Sequence, residues 1–219
     1  MEQKNIEIEV AKALLSIRAV FLSPKEPFTW ASGIKSPVYC DNRLTLSYPD
    51  IRSLIETALA ETIRREYPGC EAVMGTSTAG IPHAAIVSEK LNLPMGYVRA
   101  DAKTHGRNNR IEGVPPVGKK VVVVEDLIST AGSAIEVVEA LREIGAEVLG
   151  IVSIFTYGMK KGAENLAAAN VKNVSLSNFP VLASVAKNEG YISQKEYDMV
   201  MKFQKDPSDP GWMDDRNEG

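Results

Sequence analysis

Residues 121–134 read Val-Val-Val-Val-Glu-Asp-Leu-Ile-Ser-Thr-Ala-Gly-Ser-Ala, and this stretch decides the fold. Four consecutive β-branched apolar residues suit a strand buried on both faces, as in the middle of a parallel sheet. Glu125 and Asp126 follow where such a strand ends. A turn of small residues, Ser129-Thr130-Ala131-Gly132-Ser133, then opens onto a helical pattern carried by Ala134, Val137, Val138 and Leu141. Such a turn offers free backbone N–H groups and the positive end of a helix dipole, where phosphate is the usual guest. Carboxylates cannot hold phosphate, but they accept hydrogen bonds from sugar hydroxyls. The pattern points to a ribose phosphate. A plain helix cap would need one acid, and neither the second acid nor the hydroxyl-rich loop.

Working outward, residues 71–75 (EAVMG) predict another strand. It runs into a second hydroxyl-rich turn, Thr76-Ser77-Thr78-Ala79-Gly80, and a helix start at Ile81-Pro82. His83, just inside that helix, reads as a capping or packing residue. Residues 93–98 form a short strand, and 99–113 then turn sharply polar. There Arg99, Lys103, Arg107 and Arg110 outnumber Asp101 and Glu112, and Ile111 is the one large apolar residue. A segment this polar cannot bury itself and is expected to be a mobile loop. Downstream, a strand over 147–155, a short helix over 162–169, a strand over 171–176 and helices over 181–188 and 194–203 follow.

Toward the N-terminus, Ile6, Val10, Leu14, Ile17 and Phe21 stand at helical spacing, predicting one helix over 6–21. Aromatic and β-branched residues on either side of Ser32-Gly33 predict a hairpin, with Pro37 at the start or edge of its second strand. Residues 48–67 carry a helix that Pro68-Gly69 stops. Alternating strands and helices give an α/β fold with a mainly parallel central sheet flanked by helices. Ligands in such sheets sit at the carboxyl ends of strands, where the acid pair, both hydroxyl turns and Arg99 fall. Residues 1–206 read as one domain and 207–219, rich in Pro, Asp and Gly, as a disordered tail.

The apolar run, acid pair and Ser/Thr/Gly turn resemble the binding motif for 5-phosphoribosyl 1-pyrophosphate (PRPP) of type I phosphoribosyltransferases. Ser32-Gly33-Ile34-Lys35-Ser36-Pro37 resembles the S-G-x-K-S-P signature of the N-terminal hairpin hood in orotate phosphoribosyltransferases, covering about 22–47 here. Arg99, Lys103 and His105-Gly106 are similar to that family's R-K-x-x-K-x-H-G loop. The resemblance implies transfer of phosphoribose from PRPP to orotate, giving orotidine 5′-phosphate and pyrophosphate. It implies PRPP contacts from Arg99, Lys103, His105, Glu125, Asp126, Leu127, Ile128, Ser129, Thr130, Ala131, Gly132 and Ser133, with Lys103, His105 and Asp126 catalytic. Orotate would meet Ser129, Tyr39 and Cys40, with Arg43 and Lys35 as candidates for its carboxylate on charge and position. Mg2+ is implied through substrate and water, with no direct protein ligand. The family's loop closes over the neighbouring subunit's site, which implies a homodimer with loop 100–113 acting in trans. The chain departs from the family pattern at Ala31, Ala79, Ala100 and Thr156-Tyr157, where some members carry three lysines and an arginine.

The bulk numbers agree with a small-molecule enzyme. At 44% hydrophobic residues a packed core is available, and a net charge of −3 argues against nucleic acid as main partner. The two cysteines, Cys40 and Cys70, lack metal-type spacing and read as free thiols of a cytoplasmic protein. The N-terminal apolar stretch is too short for a signal peptide or a membrane span. Residues 113–120 (GVPPVGKK) come within one residue of a Walker A pattern. Lys120 stands where Ser or Thr must hold magnesium, and the segment precedes a strand, so a P-loop NTPase is excluded. A regulator that senses PRPP and binds RNA or DNA would want a basic face or a helix-turn-helix, and would dispense with Lys103 and His105.

Overall fold

The computed structural model describes residues 3–30, 33–99 and 110–217. Its N-terminal part holds α1 (Gln3–Ser16), β1 (Val20–Leu22), β2 (Phe28–Thr29), β3 (Lys35–Ser36), β4 (Val38–Cys40) and α2 (Pro49–Glu66). Next come β5 (Ala72–Thr76), α3 (Gly80–Leu91), β6 (Met95–Val98), β7 (Ile111–Glu112), β8 (Lys120–Ile128) and α4 (Gly132–Glu143). The chain continues through β9 (Glu147–Thr156), α5 (Lys160–Ala168), β10 (Asn173–Asn178), α6 (Phe179–Asn188) and α7 (Gln194–Lys205).

The four valines at the start of β8 explain why this strand is central. Val122 and Val124 pack into the larger core with α1, α2, α3, α6 and α7, while Val121 and Val123 pack into a smaller core under α4. All four are fully buried, as the period-2 geometry of a strand covered on both faces requires. Around β8 the sheet order is β10-β9-β8-β5-β6-β7, parallel throughout except for β7, which runs antiparallel to β6. The carboxyl ends of β5, β6, β8 and β9 therefore share one edge.

Two small antiparallel pairs form the hood. β1 pairs with β4, and β2 pairs with β3 through Phe28↔Ser36 and Thr29↔Lys35. Trp30 fastens the hood to the body: its indole N–H donates to the Val38 carbonyl, and its ring lies 5.5 Å from Tyr157 and 5.7 Å from Phe203. The helices below it are joined by a buried polar pair. His83 Nδ1 lies 2.5 Å from Glu56 Oε1, both side chains fully enclosed between α2 and α3. His83 is thus a packing residue, and burial raises the Glu56 carboxyl.

Three expectations are corrected. The first helix ends at Ser16, not near Phe21, because Arg18 takes a left-handed conformation (φ 57°) and the chain turns into β1. Residues 111–112 of the expected loop are instead the edge strand β7, held by the buried Ile111. The tail read as disordered forms a short 3-10 segment over Pro210–Asn217, with Trp212 buried 5.6 Å from Phe203. One aromatic anchor outweighs the polar composition around it.

Candidate active site

At the carboxyl edge of the sheet lies a cavity of about 470 Å³, formed by Ser77 to Ala79, residues 125–134 and Glu136. The two hydroxyl-rich turns read from the sequence thus face one space. Parallel pairing of β5 with β8 brings them together: the last pair is Gly75↔Val124, after which β5 turns at Thr76 while β8 continues along β9 to Ile128.

Glu125 and Asp126 form the floor. Glu125 is 7% exposed, and its Oε1 accepts the backbone N–H of Asp126 at 2.8 Å. Burial, and then the neighbouring Asp126, push the Glu125 carboxyl up to about 8. A carboxyl this poorly solvated gains from any donor or cation that enters.

The loop above them is shaped for an anion. Ala131, the residue before α4, stands in the left-handed region (φ 64°, ψ 7°), and no side chain caps this helix. A left-handed residue followed by helical ones turns successive N–H groups toward one concavity, the usual anion nest. On the other wall, Ser77 Oγ donates to the Val98 carbonyl at 2.6 Å, and the Ser77–Thr78 peptide bond is cis. Gly80 closes that turn. A Cβ there would stand 2.3 Å from Thr76 Oγ1 and 2.4 Å from the Val124 carbonyl oxygen.

The hood approaches from the third side. Asn42, 1% exposed, donates its side-chain amide to the Asp126 carbonyl at 2.7 Å. Cys40 Sγ lies 3.4 Å from Asn42 Oδ1. Burial first, and then the charges of Asp126 and Asp41, push the Cys40 thiol well up, so it is no nucleophile.

Comparison with known proteins follows the same lines. Residues 46–185 match the phosphoribosyl transferase domain family. The chain is 58% identical over 205 residues to an orotate phosphoribosyltransferase of Bacillus cytotoxicus, covering 94% of this chain and 98% of that protein. The chain belongs to the orotate phosphoribosyltransferase family. It is also similar to the crystal structure of orotate phosphoribosyltransferase from Aeropyrum pernix (TM-score 0.72, 33% identity, 84% of this chain and 99% of that one). A UMP synthase of Leishmania donovani matches at TM-score 0.77 and 29% identity over 90% of this chain, which spans only 42% of that longer protein.

In this member of the orotate phosphoribosyltransferase family, some of the residues named from the sequence share the cavity and others stand apart from it. Glu125, Asp126, Leu127, Ile128, Ser129, Thr130, Ala131, Gly132 and Ser133 all line the cavity. Arg99 follows β6 and is not among the residues lining the cavity; its Nη1 lies 3.3 Å from Glu112 Oε1. Lys103 and His105 lie outside the described residues, as do Ala31, Ser32 and Ala100. The Arg99 backbone N–H donates to the Arg110 carbonyl at 2.8 Å.

The hood residues divide. Tyr39 is 46% exposed, its ring 5.6 Å from Phe28. Arg43 forks onto Asp41, with Nε–Oδ1 at 2.6 Å and Nη2–Oδ2 at 2.9 Å, and is not among the residues lining the cavity. Lys35 reaches across the hairpin to Thr29 Oγ1 at 2.7 Å. Neither basic side chain stands in the cavity. The residue that sequence reasoning missed is Asn42. Its only signal was its place between the hood strand and the helix, in Cys40-Asp41-Asn42-Arg43.

Proposed function

We propose that this protein transfers the phosphoribosyl group of PRPP to orotate, releasing pyrophosphate and orotidine 5′-phosphate for pyrimidine biosynthesis. The observation that carries this reading is a single cavity in which an acid pair meets an uncapped, left-handed-to-helical amide loop, in a chain of this family. The amides and hydroxyls of 130–133 take the 5-phosphate, and Asp126 and Glu125 accept hydrogen bonds from the ribose hydroxyls. A ring nitrogen of orotate bonds to the anomeric carbon as the bond to pyrophosphate breaks, and the nitrogen's proton is lost to solvent or base. Arg99, Lys103 and His105 meet the negative charge that grows on the departing pyrophosphate. Asp126 supports positive charge on the ribose ring from below. Closure of the segment that carries Lys103 and His105 excludes water that would hydrolyse PRPP.

The donor set fits magnesium carried by its substrate. Three carboxylates, Glu125, Asp126 and Glu136, line the cavity, while among the described residues no group of three or more His, Cys, Asp or Glu is placed to hold a metal. Mg2+ keeps several waters and favours phosphate oxygens, so Asp126 and Glu125 would hold it through water, and it would offset charge on the pyrophosphate. The assembly we propose is a homodimer in which the segment read as loop 100–113 serves the neighbouring subunit's site. The free Cys40 and Cys70 support a reducing, cytoplasmic setting. No helix among the described residues is long and apolar enough to cross a membrane.

Mixing the protein with orotate, PRPP and Mg2+ and following the orotate absorbance band tests the activity. Loss of the band, dependent on all three, is the expected result. An unchanged band with retention of RNA would instead mark a PRPP-sensing regulator.

A further inference from the structure

Helix α5 contributes no residue to the cavity lining, yet it grips the back of the phosphate loop. Three successive loop carbonyls face that side, and two of them accept hydrogen bonds there. The Ile128 carbonyl accepts the Tyr157 N–H at 3.0 Å and the Thr156 hydroxyl at 3.2 Å. The Ser129 carbonyl oxygen sits 2.3 Å from where a Cβ on Gly162 would stand, so only glycine fits there. The Thr130 carbonyl accepts Asn165 Nδ2 at 2.9 Å.

A trans peptide unit holds its C=O and the following N–H antiparallel. Among the described residues the cis bond is Ser77–Thr78, so the loop peptides are trans. Turning the carbonyls of Ile128, Ser129 and Thr130 toward β9 and α5 therefore turns the N–H groups of Ser129, Thr130 and Ala131 the opposite way. That way lies the cavity which residues 129–134 line. Backbone amides carry no side chain to aim them. Whatever holds the carbonyl aims the donor.

We infer that Asn165, seated by the close approach of Gly162, is a positioning residue for the phosphate cradle: it clamps the Thr130 carbonyl and so presents the Ala131 amide to the 5-phosphate. The inference rests on the proposed reading of this loop as the ribose-phosphate site. Asn165 acts through the loop backbone and is half-exposed, so its side chain can be changed without opening a core void.

The test is calorimetric binding of ribose 5-phosphate to the full chain and to Asn165→Ala, Asn165→Asp and Asn165→Gln, with thermal melts of each. Loss of one hydrogen bond is expected to weaken ribose 5-phosphate binding about fivefold in Asn165→Ala, and at least as much in Asn165→Asp, which places a negative oxygen against the Thr130 carbonyl. Asn165→Gln keeps the donor and is expected to recover most of the affinity. In turnover, KM for PRPP rises in Asn165→Ala while KM for orotate at saturating PRPP stays put. Affinity of the Ala and Asp variants within about twofold of the parent, or a Gln variant binding no better than Ala, would overturn the inference alone. A parent chain that neither binds ribose 5-phosphate nor consumes orotate would overturn the proposed function and this inference with it.

Discussion

Asn42 donates its side-chain amide to the backbone carbonyl of Asp126 at 2.7 Å, across 84 residues of sequence. This bond ties the end of the hood to the acid pair at the end of β8. It fixes where the hood stands relative to the acid pair. Asn42→Ala leaves a part-buried carbonyl without its partner, which costs about 1 kcal/mol or more. The expected outcome is a lower melting temperature, together with a fall in kcat/KM for orotate larger than the fall for PRPP. Equal falls would mean that the bond stabilises the fold without placing the hood.

Glu125 sets a pH dependence of stability. Its carboxyl is raised from 4.5 to about 8, first by burial and then by Asp126. Between those values the folded chain holds a proton that the unfolded chain has lost, so stability falls as pH rises. The contribution is fully present below the unfolded value, is lost through the window and levels off above about pH 8. Glu125→Gln, which cannot ionise, is expected to flatten this part of the curve. Urea midpoints of both proteins at pH 5 to 9 would measure it, and an equally steep decline in the variant would refute the assignment.

Gly80 is the second backbone position with no room. Its would-be Cβ meets Thr76 Oγ1 and, less forgivingly, the Val124 carbonyl oxygen at 2.4 Å. Gly80→Ala must push the start of α3 away from β8, at a cost of about 1–3 kcal/mol. Because α3 follows directly on the Ser77 to Ala79 wall, the variant is also expected to lose affinity for pyrophosphate, read in the reverse reaction. Unchanged stability and unchanged pyrophosphate affinity would contradict the tight packing.

The proposed service of one subunit's loop to its neighbour's site is tested by mixing variants. Lys103→Ala alone is expected to lower turnover about tenfold or more, the worth of one charge-assisted contact. Asp126→Ala alone removes one carboxylate of the cavity. If each loop serves the neighbouring subunit, mixed dimers of these two impaired variants contain one site with both residues intact. Subunit exchange then restores activity toward about a quarter of the parent's, as random pairing in a two-fold dimer gives. A loop acting in its own subunit restores none.

The sequence carried the sheet centre and the cradle because both are local. Four valines, two acids and a hydroxyl turn are contiguous, and their geometry follows from strand and helix-start physics. What it hid were single long-range contacts. Asn42 looks like any turn residue until β8 arrives beside it, and Asn165 looks like a helix surface residue until Thr130 is placed. Trp212 sits in a run of Pro, Asp and Gly whose average composition conceals it. Ile17 and Phe21 keep helical spacing past a turn made by Arg18, a residue with no special preference for positive φ. Arg43 was chosen by charge, and Asp41 two residues away holds it.

The central claim is that the cavity joins phosphoribose to orotate, and its most direct test is stoichiometry. Pyrophosphate released and orotate consumed are counted in the same reaction with PRPP and Mg2+, for the parent and for Asp126→Asn. One pyrophosphate per orotate, with both rates falling together in the variant, is the expected result. Pyrophosphate without loss of orotate, or neither product at all from the parent, would contradict it.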